Sequence, residues 1–203
     1  MSTRAGELAE LVVADAAGLR AWLGVHHATS PGVWLVLTRK GGQVTSLTWA
    51  QAVDEALCVG WIDGQGRARD GQTSLIRFTP RGRRSSWSQR NVANVARLQG
   101  QGRMLPAGLA AVAAAQADGR WAAAYAGQAD AQVPADLAAA IAADPAAAAM
   151  FEVLTRTNRF ALIHRLGSVK REETRRRKIG EFVAKLARGQ TVHPQKARPA
   201  GWS

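Results

Sequence analysis

The sequence predicts an α+β fold, in which a small N-terminal β-sheet with helices, in the order β-α-β-β-α, is followed by a C-terminal helical bundle. Short apolar segments bounded by Gly and Pro lie in the first 80 residues and are typical of strands. From residue 104 onward the patterns are helical, Ala-rich and interrupted by Pro and Gly. Apolar residues make up 47% of the 203 residues, which is enough to build a core. We therefore expect domains at 1–103 and 104–190 and a flexible tail at 191–203.

The three predicted strands differ in how clearly the sequence marks them. Residues 33–38, Val-Trp-Leu-Val-Leu-Thr, are the clearest, because nearly all of them are apolar or β-branched. Residues 61–64 begin a second strand or hairpin, and residues 74–79 form a third strand that Pro80 ends. An irregular apolar pattern over residues 8–27 predicts a helix before these strands.

Capping residues and prolines mark the other helices. Thr48 and Gln51 have the spacing of a capping box and start a helix that ends before Gly60. Ser86 and Gln89 have the same spacing and predict the start of the next helix. In the C-terminal part, helices are predicted after Pro106, Pro134 and Pro145, and then over 157–166 and 168–187.

The net charge of +12 lies in two blocks. Residues 71–103 contain seven arginines and no acidic residue, and residues 153–203 contain thirteen basic and three acidic residues. This distribution favours an anionic partner, either a small molecule or a nucleic acid, and opposes a cationic one. The alternative is that both blocks are solvated surface, with Arg stems covering apolar neighbours.

The composition argues against several classes of protein. A single cysteine, Cys58, excludes an intramolecular disulfide and a cysteine-based zinc site. The four histidines form no i, i+4 pair, so neither a metal nor another cofactor is predicted. No apolar run reaches the roughly 18 residues of a membrane span, and the N-terminus lacks the apolar core of a signal peptide. We therefore expect a cytoplasmic protein.

The segment 77–88 is the most suggestive for binding. Its arginines precede a predicted helix N-terminus, where free backbone N–H groups, Ser86 and guanidinium groups favour an anion. Trp87 can stack on a planar ligand. The structural alternative is that Trp87 fills the core, while the arginines are solvated or pair with acidic residues elsewhere.

A second basic run, 170–178, lies in the last predicted helix. Two Glu–Arg pairs at i, i+4 spacing within it support a solvated helix face and leave Arg175 and Lys178 for a partner. Catalytic residues are less clearly indicated. Cys58 ends an amphipathic helix, where a free cysteine is usually a small core residue. For acid–base chemistry, Asp54 or Glu55 would have to meet Asp63 or Asp70 in space, and nothing local requires it.

Several motifs occur in order along the chain. They are 47–64 (LTWAQAVDEALCVGWIDG), 77–81 (RFTPR), 86–88 (SWS), 102–108 (GRMLPAG), 118–121 (DGRW), 133–137 (VPADL) and 173–175 (ETR). In this combination the chain resembles the YdeI/OmpD-associated family, also called bacteriocin-protection proteins, from about residue 20 to about residue 195. The resemblance implies a role in envelope stress and tolerance of antimicrobial peptides, and it implies no catalytic residue.

We therefore expect a non-catalytic binding protein for stress or antimicrobial tolerance that holds an anionic or planar small molecule. Because many antimicrobial peptides are cationic, a protein of charge +12 would repel them, which favours indirect protection. The predicted ligand-binding residues are Trp61, Asp63, Arg77, Arg83, Arg84, Ser86, Trp87 and Lys170. Two alternatives remain: an enzyme acting on a natural product, with Asp54, Cys58 and Asp63 as its first candidates, or a nucleic-acid-binding protein that uses the two basic blocks.

Overall fold

The chain forms two compact units, residues 1–124 and residues 125–203. The computed structural model describes residues 8–127, 130–167, 169 and 171–202. Within these residues the first unit contains a four-stranded sheet with helices and the second contains helices, so the predicted α+β class is confirmed. The division follows residue 124 rather than residue 103, because the helix that begins at Pro106 packs on the first unit.

The first unit places its helices along a mixed sheet. Its elements are β1 (Glu10–Leu11), α1 (Ala16–His26), β2 (Val33–Thr38), α2 (Trp49–Cys58), β3 (Trp61–Ala68), β4 (Thr73–Pro80), α3 (Gln89–Gly100) and α4 (Pro106–Ala117). The strand order is β1-β2-β4-β3, in which β1 is parallel to β2 and the other pairs are antiparallel. β3 extends beyond the predicted residues and contains a bulge between Asp63 and Gly66.

The predicted start of the first helix is wrong. Residues 10–11 form a short strand beside β2, and α1 begins only at Ala16. Asp15 is the cap, since its carboxylate accepts a hydrogen bond of 2.9 Å from the backbone N–H of Gly18. The apolar pattern over residues 8–27 is irregular because this segment contains a strand and then a helix, in which side chains facing the core repeat at different intervals.

Hydroxyl caps start the next two helices of the unit. The capping box of α2 is confirmed, because Thr48 Oγ1 accepts from the N–H of Gln51 (3.3 Å) while the N–H of Thr48 donates to Gln51 Oε1 (2.9 Å). The predicted box at Ser86 is wrong. Ser88 caps α3 instead and accepts from the N–H of Asn91 at 3.1 Å.

The core of the first unit lies between the sheet and its helices, and two tryptophans are among its largest members. Trp61 and Trp87 are each 1% exposed. Trp61 donates its indole N–H to the carbonyl of His27 over 3.1 Å, so its polar atom is satisfied within the core. Both rings are therefore packed inside the core and contribute to the stability of the unit.

The second unit consists of four helices among its described residues. They are α5 (Ala135–Ala142), α6 (Pro145–Glu152), α7 (Arg156–Gly167) and α8 (Glu172–Ala187). From the sequence we expected Arg175 of α8 to be available to a partner. In the structure its guanidinium group instead donates two hydrogen bonds to the carboxylate of Asp136 on α5, with N···O distances of 2.5 Å and 2.9 Å. This hydrogen bond lowers the pKa of the Asp136 carboxyl. The predicted helix start at Ser168 lies outside the described residues.

Residues 191–202, the described part of the tail predicted as flexible over 191–203, make defined contacts in the second unit. Asn158, which is 1% exposed, hydrogen-bonds the backbone of His193 and the side chain of Gln195. Trp202 packs against the apolar core of the same unit, beside Gly189. Among the described residues, no helix has both the length and the apolar character that crossing a membrane requires.

The first unit contains a close approach between two helix ends. Gly108 in α4 faces the end of α2, where a Cβ atom at Gly108 would lie 2.3 Å from the carbonyl oxygen of Cys58. The N–H of Leu105 donates to the same oxygen over 2.9 Å. Only glycine lets the two backbones approach this closely.

Substitution Gly108→Ala is expected to destabilise the protein by about 1–3 kcal/mol, because the added methyl group forces α4 away from α2. Urea unfolding followed by tryptophan fluorescence measures the change. Gly100→Ala is the matched control, since a Cβ there meets no atom within 4 Å and the residue is helical. Equal unfolding midpoints for the two variants would contradict the predicted role of the close approach.

Candidate functional site

The structure places the two predicted ligand-stacking tryptophans in the core rather than at a binding surface. The ring of Trp87 lies between the guanidinium carbon of Arg81, 3.6 Å from the ring centre, and the ring of Trp121, 4.8 Å away. Trp61 packs its ring edge-on against Trp22. Neither ring offers a free face to a planar ligand, as the structural alternative for Trp87 predicted.

The predicted anion-binding loop is an ordered turn with an exposed outer side. The N–H of Gly82 donates to Ser85 Oγ (3.0 Å), and Arg81 donates to the carbonyl of Ser86 (3.1 Å). Arg83, Arg84 and Ser86 are exposed. Within the described part of the chain, the side chains of Arg83 and Arg84 form no hydrogen bond or ion pair. The loop therefore presents two exposed cations on the outer side of the turn.

The remaining predicted site residues are dispersed. Asp63 lies half-buried on β3, and Arg77 is exposed on β4 opposite Trp34. Lys170 lies outside the described residues and precedes α8, which belongs to the second unit. In the first unit, the structure brings together the loop residues and Trp87.

The first catalytic candidates do not form an activated nucleophile. Cys58 is buried, and this burial, followed by the nearby charge of Glu55, raises the pKa of its thiol. Asp54 binds Arg97 of α3 through both carboxylate oxygens, at 2.7 Å and 2.8 Å. A protonated thiol and a neutralised carboxylate are poor groups for nucleophilic or acid–base catalysis.

A buried ionic cluster beside Cys58 was missed by the sequence analysis. Glu55 is buried on α2, and its carboxylate binds Arg20 of α1 (2.9 Å) and Arg103 after α3 (2.6 Å). The position could have been found from its neighbours, because Glu55 shares the buried face of α2 with Ala52 and Ala56. A charge on an apolar helix face requires partners, and here it links three parts of the unit.

Glu55→Gln is expected to lower the free energy of unfolding by about 1–3 kcal/mol, because it weakens two ion pairs at a buried carboxylate. Glu10→Gln is the control, since the pair of Glu10 with Arg69 is exposed on both sides and should contribute at most about 1 kcal/mol. Urea unfolding of both variants separates the two cases. A larger loss for Glu10→Gln would show that the buried cluster is not the stronger link.

The second unit contains a partly enclosed cavity of about 170 Å³. Its apolar walls come from α7, α8 and the segments next to them. They are formed by Leu154, Leu162, Phe182, Leu186 and Val192. An apolar cavity of about 150 Å³ holds benzene in an engineered protein. The cavity of the second unit therefore has room for one six-membered ring.

The polar residues of the cavity lie on α7, at the end of α8 and in the segment after α8. They are Asn158, Arg165, Lys185, Gln190 and Thr191. Arg165 lies in the last turn of α7 and Lys185 in the last turn of α8, where the helix dipole favours a cation. None of the described residues that line the cavity is acidic. This grouping could not be found by sequence reasoning, because its one trace in the sequence is the basic residues near two helix ends.

Asn158 holds the chain segment that closes one side of the cavity. Its side-chain NH2 group donates to the carbonyl of His193 (3.1 Å) and to Gln195 Oε1 (2.8 Å), while its oxygen accepts from the N–H of His193 (2.8 Å). Gln195 in turn donates to the carbonyl of Val153 and accepts from the N–H of Thr155. This network fixes the segment against the start of α7.

Asn158→Ala is expected to raise the hydrogen-exchange rate of the His193 amide at least about tenfold, because the loss of a buried hydrogen-bond partner costs roughly 1–3 kcal/mol. Exchange measured by NMR reports this opening directly. Asn94→Ala in α3 serves as the control and should leave the His193 amide unchanged. An unaltered exchange rate in Asn158→Ala would mean that other contacts hold the segment.

By its geometry the chain is a two-unit α+β protein whose second unit encloses a small cavity with a cationic rim. Residues 130–189, which form most of that unit, match the family described as Bacteriocin-protection, YdeI or OmpD-Associated. The predicted resemblance is therefore confirmed over these residues. Residues 11–111 match a separate model, described as a Domain of unknown function (DUF8412), and most of the motifs that suggested the resemblance lie there.

No curated protein and no solved structure matches the chain. Among the described residues, no group of His, Cys, Asp and Glu side chains is arranged to hold a metal ion.

Proposed function

We propose that the protein is a non-catalytic binding protein that holds a small anionic or planar molecule in the cavity of its second unit. The observation that carries the proposal is the combination of apolar walls with Arg165 and Lys185 in a partly enclosed space of about 170 Å³. Ligand sites are commonly concave and mostly apolar, with a few polar groups that orient the ligand.

This proposal moves the binding site from the first unit to the second. The loop around Arg83 and Arg84 has exposed cations, but its tryptophan is enclosed in the core and gives a ligand no apolar surface. The cavity of the second unit supplies both an apolar surface and cations in one place. Seven of its ten lining residues, including Arg165 and Lys185, lie in the part of the chain that matches the bacteriocin-protection family.

We further propose that ligand binding contributes to stress or antimicrobial tolerance from the cytoplasm. The family description supports a protective role. The net charge of +12 disfavours direct capture of cationic peptides, because long-range repulsion slows their approach. Protection through a small molecule, for example by holding a signal or a toxic metabolite, avoids this repulsion.

A thermal-shift screen with single-ring acids, amides and amines tests the proposal. We expect at least one compound to raise the melting temperature of the protein, because binding to the folded state stabilises it. Leu162→Phe should abolish that shift by filling the cavity, whereas Leu109→Phe on the exposed face of α4 should retain it. Circular dichroism verifies that Leu162→Phe is folded. The proposal is wrong if no compound acts, or if the folded Leu162→Phe responds like the unaltered protein.

A further inference from the structure

We infer that the ligand is a carboxylate carried by one ring or an apolar group of similar size, bound with the apolar part inward and the carboxylate near Lys185. The inference rests on the proposed function, because it names the chemical class that the same cavity takes. Three observations support it: the hydrogen bonds that already engage Asn158 inside the cavity, the position of Lys185 at its mouth, and the volume of the cavity.

Among the described side chains that line the inner part of the cavity, none has a free hydrogen-bond donor. Leu162, Phe182 and Leu186 are all nearly inaccessible to solvent. Asn158 is the buried polar residue of the wall, but both its amide hydrogens and its oxygen are already engaged with His193 and Gln195. A polar ligand group placed there would lose its hydrogen bonds to water without replacement. The part of the ligand that enters must therefore be apolar.

The cation at the mouth of the cavity has no acidic partner. Lys185 is exposed, and its ammonium group makes no hydrogen bond or ion pair with any residue that the structure describes. Glu181, four residues earlier on α8 and so on the same side of the helix, binds Arg177 at 2.6 Å instead. An anion at the mouth would therefore meet an uncompensated positive charge.

The charge of this mouth suits a monoanion. Lys185 supplies one cation that is not engaged elsewhere, whereas Arg165 already takes part in an interaction within the protein. One ammonium group balances one carboxylate but leaves half the charge of a phosphate monoester unpaired. The volume of about 170 Å³ is enough for one ring.

Benzoate, benzamide and acetate separate the contributions of charge and ring. The full-length protein is titrated with each probe at constant ionic strength, and NMR shifts of the cavity methyl groups report binding. We expect benzoate to bind at least about fivefold more tightly than benzamide, corresponding to roughly 1 kcal/mol for one partly exposed charge pair. Acetate, which lacks the ring, should bind too weakly to saturate.

Lys185→Gln and Lys178→Gln form the matched pair of variants, because both replace a lysine of α8 but only Lys185 lines the cavity. Lys185→Gln should remove the preference for benzoate and leave benzamide binding unchanged, while Lys178→Gln should alter neither. Equal affinities for benzoate and benzamide in the unaltered protein, or a preference that survives Lys185→Gln, would overturn the carboxylate assignment while leaving cavity binding intact. Failure of every ring compound, with no difference between the unaltered protein and Leu162→Phe, would instead reject the proposed function itself.

Discussion

The packing of the first unit depends on the end of α2, where a helix, a turn and a second helix meet around one carbonyl group. The oxygen of Cys58 accepts the N–H of Leu105, and Gly108 lets α4 approach within contact distance of it. Gly60 takes a φ of +75° directly after α2, which turns the chain into β3. The burial of Trp61 follows from this turn, because Trp61 is the first residue after it.

The local elements could largely be predicted from the sequence, since their signals lie within a few residues. The capping box of α2 and the apolar run of β2 are both confirmed, because each depends on neighbouring residues alone. β1 was missed because two residues carry no periodicity, and its pairing with β2 depends on the fold. The start of α3 was misplaced because Ser86 and Ser88 are equally good caps, and only the path of the loop decides between them.

The candidate site was harder to predict for a related reason. Trp87 has the same sequence signature whether it faces a ligand or a core, and its burial against Trp121 depends on residues 34 positions apart. The cavity of the second unit is formed by side chains from two helices and a following segment, none of which forms a motif. Its cations were visible in the sequence only as two of the thirteen basic residues of the block 153–203.

The two basic blocks carry less free charge than the sequence suggests. In the first block, Arg97 and Arg103 bind the adjacent carboxylates of α2. In the second block, arginines of α8 pair with acidic residues on α8 itself and on α5. These ion pairs neutralise part of the positive charge and connect elements of the fold. Individual cations such as Lys185 and Arg84 are then the groups available to anions.

The enclosure of Cys58 also bears on the redox chemistry of the chain. It is the single cysteine of the sequence, and both its burial and its raised pKa keep the sulfur as an inaccessible thiol. Thiol–disulfide exchange requires a thiolate that its partner can reach. Glutathionylation or oxidation of the folded chain must therefore await the opening of α2. This sulfur would therefore be modified only when the first unit opens, and a conformational change confined to the second unit would leave it unmodified.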